Sequence, residues 1–238
     1  MNADELAFDL PGDGHALFTT RAHGNLSSVG GDDAEHGLEA RERLREQLGV
    51  RRLLRGYQVH GTTVQRVRGD EVGDTGTETD SEAQPEIEAD GQATTLHGLG
   101  AIVLTADCLP VVLSANGAVA MVHAGWRGLA AGVLEEGVRA LRELSGAHDI
   151  AAIIGPGAGP CCYEVGEEVH TAFGGAHRIG TPTTRRIDLK AIACERLQAA
   201  GVAEVQDVAV CTICDERFFS YRREGAHAGR QGGVAWLS

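Results

Sequence analysis

Three apolar runs crowded between residues 101 and 122 limit what this chain can fold into: AIVLTA at 101–106, PVVL at 110–113 and AVAMV at 118–122. Only short connectors separate them, carrying Asp107-Cys108 and Asn116-Gly117. A parallel crossover needs about a dozen residues or more, so no crossover helix fits between these strands. Asn116-Gly117 instead predicts a tight antiparallel hairpin. A purely parallel doubly wound sheet is therefore excluded. AAIIG at 151–155 and VQDVAV at 205–210 add two more strands, and RRLLRGYQVH at 51–60 reads as a strand with TTVQRVR at 62–68 as its hairpin partner across Gly61. Helices show as apolar stripes at three- and four-residue spacing. Leu129, Val133, Leu134, Val138, Leu141 and Leu144 form one, and Leu189, Ile192, Ala193, Leu197 and Ala200 another, with Asp188 as its N-cap. A charged helix is expected over 33–48. The fold class expected from these patterns is α+β, a mixed sheet with helices packed outside.

The formal charge of −13 over 238 residues argues against a nucleic-acid partner, because phosphate contacts need a basic face. Much of it is concentrated at 69–90, GDEVGDTGTETDSEAQPEIEAD, which holds nine acids and no Lys or Arg. That segment has no apolar periodicity and reads as a solvated, mobile insertion in one domain spanning 1–238. No apolar run reaches the ~18 residues of a membrane span, and the first residues lack the basic and apolar regions of a signal peptide. The expected setting is the reducing cytoplasm, so the six cysteines are expected free. Cys211 and Cys214 make a lone C-x-x-C, which reads as two small buried residues rather than a metal or redox pair.

His60 and His123 each follow a predicted strand, and Cys108 sits just past another. Three such ligands could converge on one metal, leaving a fourth tetrahedral position open as in a catalytic zinc site. Cys108 beside His123 also admits a metal-free nucleophile, with Asp107 orienting the histidine or serving as the base. Gly155-Pro156-Gly157-Ala158-Gly159-Pro160 follows a strand and is expected to bare amides for an anion, Gly157 among them. Arg127 lies four residues past His123, and Arg222 follows Phe218-Phe219-Ser220-Tyr221. In an acidic chain these guanidinium groups could grip phosphate while the aromatics stack on a ring.

Taken together, FTTR at 18–21, QVHG at 58–61, TADCLPVVL at 105–113, VHAGWRG at 122–128, IGPGAGPCCYEV at 154–165 and CTICDERFFSYRREG from 211 closely resemble the YfiH-like family. That family is also called laccase-domain or multicopper polyphenol oxidase proteins and is described as purine nucleoside phosphorylases. The resemblance runs from residue 18 nearly to the last residue. It implies a four-layer αββα sandwich with mixed sheets, shared with deamidating bacterial toxins. It implies one zinc, with copper possible, held by His60, Cys108 and His123. It implies phosphorolysis of adenosine, inosine and methylthioadenosine, together with adenosine deamination. Arg21, Arg127, Arg222 and Gly157 are then the expected phosphate and substrate contacts. Asp107, Cys108 and Arg127 are the expected catalytic groups, with Asp107 as proton shuttle. The expected partners are purine nucleosides and phosphate, with neither nucleic acid nor membrane, in a monomer or homodimer.

Two other enzyme classes compete. A copper-dependent polyphenol oxidase would need a multinuclear centre built from His-x-His pairs, yet none of the ten histidines lies two residues from another. A peptidoglycan-precursor-editing hydrolase would use the same metal, or Cys108, to cleave an amide.

Overall fold

A computed structural model describes residues 6–69, 87–175, 177–179 and 185–238. Residues 70–86 of the expected acidic insertion lie outside that set. Among the described residues the chain forms β1 (Leu6–Leu10), β2 (Gly14–Phe18), α1 (Gly37–Leu48), β3 (Arg52–Leu54), β4 (Val64–Val67), β5 (Gly91–Thr94), β6 (Leu99–Thr105), β7 (Leu109–Ala115) and β8 (Ala118–Ala124). There follow α2 (Trp126–Ala131), α3 (Val133–Ser145), β9 (Ala151–Ile154), α4 (Glu167–Ala172), β10 (Arg178–Ile179), β11 (Arg186–Ile187), α5 (Leu189–Ala199), β12 (Glu204–Asp207), α6 (Tyr221–Glu224) and β13 (Gln231–Leu237).

The strands build a five-stranded sheet in the order β1-β2-β13-β6-β3 and a six-stranded sheet in the order β12-β9-β7-β8-β5-β4. Both are mixed: β7 and β8 are antiparallel, while β4 runs parallel to β5 and β9 parallel to β12. Strands buried on both faces explain why the sequence shows continuous apolar runs rather than alternation. The period-two geometry still sorts their side chains. Val112, Val119 and Met121 point at the other sheet and pack with Phe18, Val103 and Ala235. Val111, Leu113, Ala120 and Val122 face the opposite way, onto Leu134, Val138 and Leu141 of α3 and Ile192 and Leu197 of α5. Ile102, Leu17 and Val234 cover Ala40 and Leu44 of α1. The result is four layers: α1, the five-stranded sheet, the six-stranded sheet, and α3 with α5. No helix among the described residues is long and apolar enough to cross a membrane.

Local chemistry sets several boundaries as expected. Gly117 takes φ +73° at the β7–β8 hairpin, where Ala115 pairs with Ala118. The Asp188 carboxylate caps α5 by accepting from the amides of Lys190 and Ala191. Other expectations need correction. Gly132, at φ +100°, splits the first apolar stripe into α2 and α3. The charged helix begins at Gly37, after a 3-10 turn over Ala34–His36.

The hairpin across Gly61 does not form. β3 joins the five-stranded sheet beside β6, and β4 joins the six-stranded sheet beside β5. Between them the chain crosses from sheet to sheet, pressed so close at Gly56 that a Cβ there would lie 2.5 Å from the Ala89 carbonyl oxygen. A second crossing connects β6 to β7 through Asp107 and Cys108, so the runs AIVLTA and PVVL belong to different sheets. Both crossings require unusual backbone: His60 has φ +59° and Asp107 φ +89°, conformations that cost side-chain-bearing residues of order 1–3 kcal/mol and concentrate at functional sites.

Candidate metal centre

The two crossings deliver His60 and Cys108 to the end of β8, where His123 pairs with Pro110. One ligand atom from each of His60, Cys108 and His123 lies within 4.8 Å of the others. Cys108 Sγ is 3.8 Å from His60 Nε2, and the two imidazole rings meet edge to face at 4.9 Å between centroids. The Gln58 side-chain amide pins the QVHG loop by bonding both the amide and the carbonyl of Leu104 at 2.8 Å. Gly125 leaves the room: a Cβ there would sit 2.6 Å from His60 Cδ2 and 3.1 Å from Cys108 Sγ.

The residue that organises the centre is Asp90, which the sequence reading placed at the end of the acidic insertion. Far from being solvated, Asp90 is fully buried. Its Oδ1 pairs with His123 Nδ1 at 2.7 Å, and its carboxylate accepts from the backbone amides of Val59, His60 and Gly61 at 3.2, 3.0 and 2.7 Å. One carboxylate thus orients His123 and holds the strained loop that carries His60. Burial opposes its charge, but His123 and these amides outweigh that and keep it below the usual carboxylate range. Burial likewise resists ionisation of Cys108, yet His123 and His60 pull the thiol down to about 6. His123, against the same resistance, is pushed up to about 9 by Cys108 and Asp90. The two shifts run in opposite directions, each favouring the charged form of its own group beside the other.

This donor set fits a borderline metal ion. Two imidazoles and a thiolate suit zinc or copper. With Nδ1 of His123 held by Asp90, Nε2 is left for a ligand bond, the carboxylate–histidine arrangement common behind metal sites.

Asp107 is not a free carboxylate beside the metal ligands. Its Oδ1 accepts from Thr212 Oγ1 at 2.7 Å, and its Oδ2 from Ser220 Oγ at 3.1 Å and the Arg222 amide at 2.8 Å. These contacts fasten the 212–222 segment to the β6–β7 crossing. The glycine loop also departs from expectation. The amides of Gly155, Gly157 and Ala158 donate to the carbonyls of Pro110, Val210 and Asp107, so they are spent within the fold. Gly157 instead permits close packing, since a Cβ there would meet Leu109 Cδ2 at 2.5 Å.

The arginines divide. Arg21 is ion-paired with Glu224, bonds the Phe218 carbonyl and stacks on Phe219, so its charge is already met. Arg222 bonds the Glu164 carbonyl and lies 4.8 Å over the Tyr163 ring. Arg127 is exposed and stacks 4.2 Å over Trp126. Burial, then the negative Cys108 nearby, pushes the Tyr163 phenol up to about 12 and keeps it a neutral donor.

Known proteins resemble this chain over most of its length. The family model described as multi-copper polyphenol oxidoreductase laccase matches residues 15–238. A purine nucleoside phosphorylase of Xylella fastidiosa is 40% identical over 96% of this chain and 89% of its own length. An adenosine deaminase named RL5, from an unknown prokaryotic organism, is 37% identical over 87% of this chain and 84% of its own. The crystal structure of the Neisseria meningitidis protein NMB0706 superposes with a TM-score of 0.83 at 32% identity, covering 99% of both chains. With its layers and its His60, Cys108 and His123 cluster in place, the chain belongs to the multi-copper polyphenol oxidoreductase laccase family, whose YfiH-like members its motifs resemble.

Proposed function

We propose that this protein is a metal-dependent purine nucleoside phosphorylase with adenosine deaminase activity, acting as one unit over the matched length. The observation that carries the reading is the convergence of His60, Cys108 and His123 around a space kept open by Gly125, with Asp90 fixing two of the three. The relatives named phosphorylase and deaminase support the substrate class. Held by these three residues, zinc or copper would supply Lewis-acid polarisation of a substrate group.

The chain's own groups supply the rest. Asp90 holds His123 in the tautomer that leaves Nε2 free for the metal. Tyr163, kept neutral, donates a hydrogen bond to the purine, and Arg222 stacked on it adds a cation beside the leaving base. Phosphorolysis exchanges the bond from ribose C1′ to the purine nitrogen for one to a phosphate oxygen, so the dianion must be held against a protein of net charge −13. Arg127, exposed and stacked on Trp126, is the guanidinium assigned that task in this reading. Asp107 acts through Thr212, Ser220 and the Arg222 amide as a positioning residue.

The test is to load purified protein with zinc or copper and measure phosphate-dependent adenine or hypoxanthine release, and separately ammonia release, from adenosine and inosine. Activity should require metal and vanish in C108A. Equal base release without phosphate, or full activity in C108A, would overturn the reading.

A further inference from the structure

A second cluster of metal-ligating side chains lies outside the centre described above. Cys161, Cys162, Cys211 and Cys214 come from two loops far apart in sequence, yet their sulfur atoms all lie within 4.8 Å of one another. Cys214 Sγ is 2.9 Å from Cys162 Sγ and 3.3 Å from Cys161 Sγ. Cys161 and Cys214 are exposed, and Cys162 and Cys211 half-buried. The C-x-x-C pair is therefore not core filling, and its missing partners are the adjacent cysteines of the GPCC segment.

The backbone around the cluster is built to hold thiolates. Cys211 Sγ accepts from the Gly159 amide at 3.2 Å and also from the amides of Ile213 and Cys214. The amides of Cys214 and Asp215 close the turn on the Cys211 carbonyl at 3.2 and 3.0 Å. Gly159 allows the two loops to meet, since a Cβ there would lie 2.9 Å from Cys211 Cβ and 3.4 Å from Cys161 Sγ. Arg186 bonds the Cys161 carbonyl, and Arg223 bonds the carbonyls of Thr212 and Ile213, so cations flank both loops. A disulfide would use only two of the four sulfurs. A tetrahedral tetrathiolate uses all four, with metal–sulfur bonds of about 2.3 Å that set sulfurs about 3.8 Å apart. The sulfurs here, two pairs of them 2.9 and 3.3 Å apart and all within 4.8 Å, are near enough for one ion to reach all four.

We propose that Cys161, Cys162, Cys211 and Cys214 form a structural site for one zinc ion, distinct from the His60–Cys108–His123 centre and independent of the nucleoside reading. Binding replaces four S–H bonds by four zinc–sulfur bonds and releases four protons to solvent, so affinity rises with pH. Such an ion would staple the Gly155–Val165 loop to the segment that starts at Cys211. Thr212, inside the C-x-x-C, donates to Asp107, so the staple would also hold the network beside the first centre.

The test uses C108A, which cripples the first centre, reduced and stripped of metal. Titration with cobalt(II) should saturate at one equivalent, with intense near-ultraviolet thiolate-to-cobalt charge transfer and strong visible bands of a tetrahedral ion. Zinc should then displace the cobalt. One equivalent of zinc should also slow iodoacetamide labelling of all four cysteines by about tenfold or more, read by peptide mass spectrometry, while Cys194 is unaffected. Failure to protect the four cysteines would overturn the proposal, as would protection of only two. So would a disulfide among them in anaerobically isolated protein that takes up no metal after reduction. If C108A is unstable, the same labelling on the unsubstituted chain decides, with two zinc ions expected per chain.

Discussion

Asp90 Oδ1 and His123 Nδ1 meet at 2.7 Å with neither side chain more than 3% exposed. The same carboxylate receives three consecutive amides of the loop carrying His60, so two metal ligands share one support.

Replacing Asp90 with Asn keeps the shape but removes the charge and turns an N–H toward groups that donate. Metal affinity should fall about 10–100-fold, measured by competition with a chromophoric chelator. Stability should fall by about 1–3 kcal/mol, measured by urea unfolding of the metal-free protein. Unchanged affinity would show that His123 is held by its own packing.

Asp107→Asn tests positioning against proton transfer. All three hydrogen bonds to this carboxylate come from donors, the hydroxyls of Thr212 and Ser220 and the amide of Arg222. The variant should keep its metal and lose kcat with the pH profile unmoved. Loss of one limb of the pH–rate profile would restore Asp107 as the shuttle.

For the phosphate contact, Arg127→Ala should raise the phosphate KM about tenfold or more while the nucleoside KM changes little, and Lys should rescue in part because a point charge lacks the bidentate fork. Arg21→Ala should instead lower stability, since Arg21 already pairs with Glu224. Steady-state kinetics with each substrate varied in turn separates the two residues.

The β4–α3 contact carries a pH-dependent share of stability. Arg66 on β4 pairs with Glu136 and Glu143 of α3. Burial works against the Glu136 charge, but Arg66 and Arg139 pull its carboxyl below the usual range. A group whose folded value is depressed stabilises above its unfolded value, near pH ~4.3 for Glu, and loses that contribution as pH falls through the folded value. The stability gap between the natural chain and E136Q should therefore be full at neutral pH and shrink as pH drops below that point. A gap constant with pH would mean the charge contributes nothing.

What could be read from sequence was local. The Asn116-Gly117 hairpin, the Asp188 cap and the strand-end position of His123 depend on neighbours within a few residues. Which sheet a strand joins depends on distant partners, so neither the change of sheet at His60, where the sequence suggests a hairpin, nor the one at Asp107 is legible from neighbours. Asp90 was hidden because its acidic neighbours in sequence look like solvent-facing charge, and only the fold brings His123 to it. The four cysteines could not be joined on paper, because a C-x-x-C names its second pair only in space.

β13 lies between β2 and β6, pairing Gly233 with Phe18 on one side and Val103 on the other. Among the described residues, the hairpin β1–β2 joins the rest of its sheet through that strand. On the ribosome, β1 and β2 emerge before residues 231–237 and must therefore wait for them before they have this sheet to join. Until then Phe18 and the edge of β6 stand open, and a nascent chain stalled before residue 231 is a natural client for a chaperone.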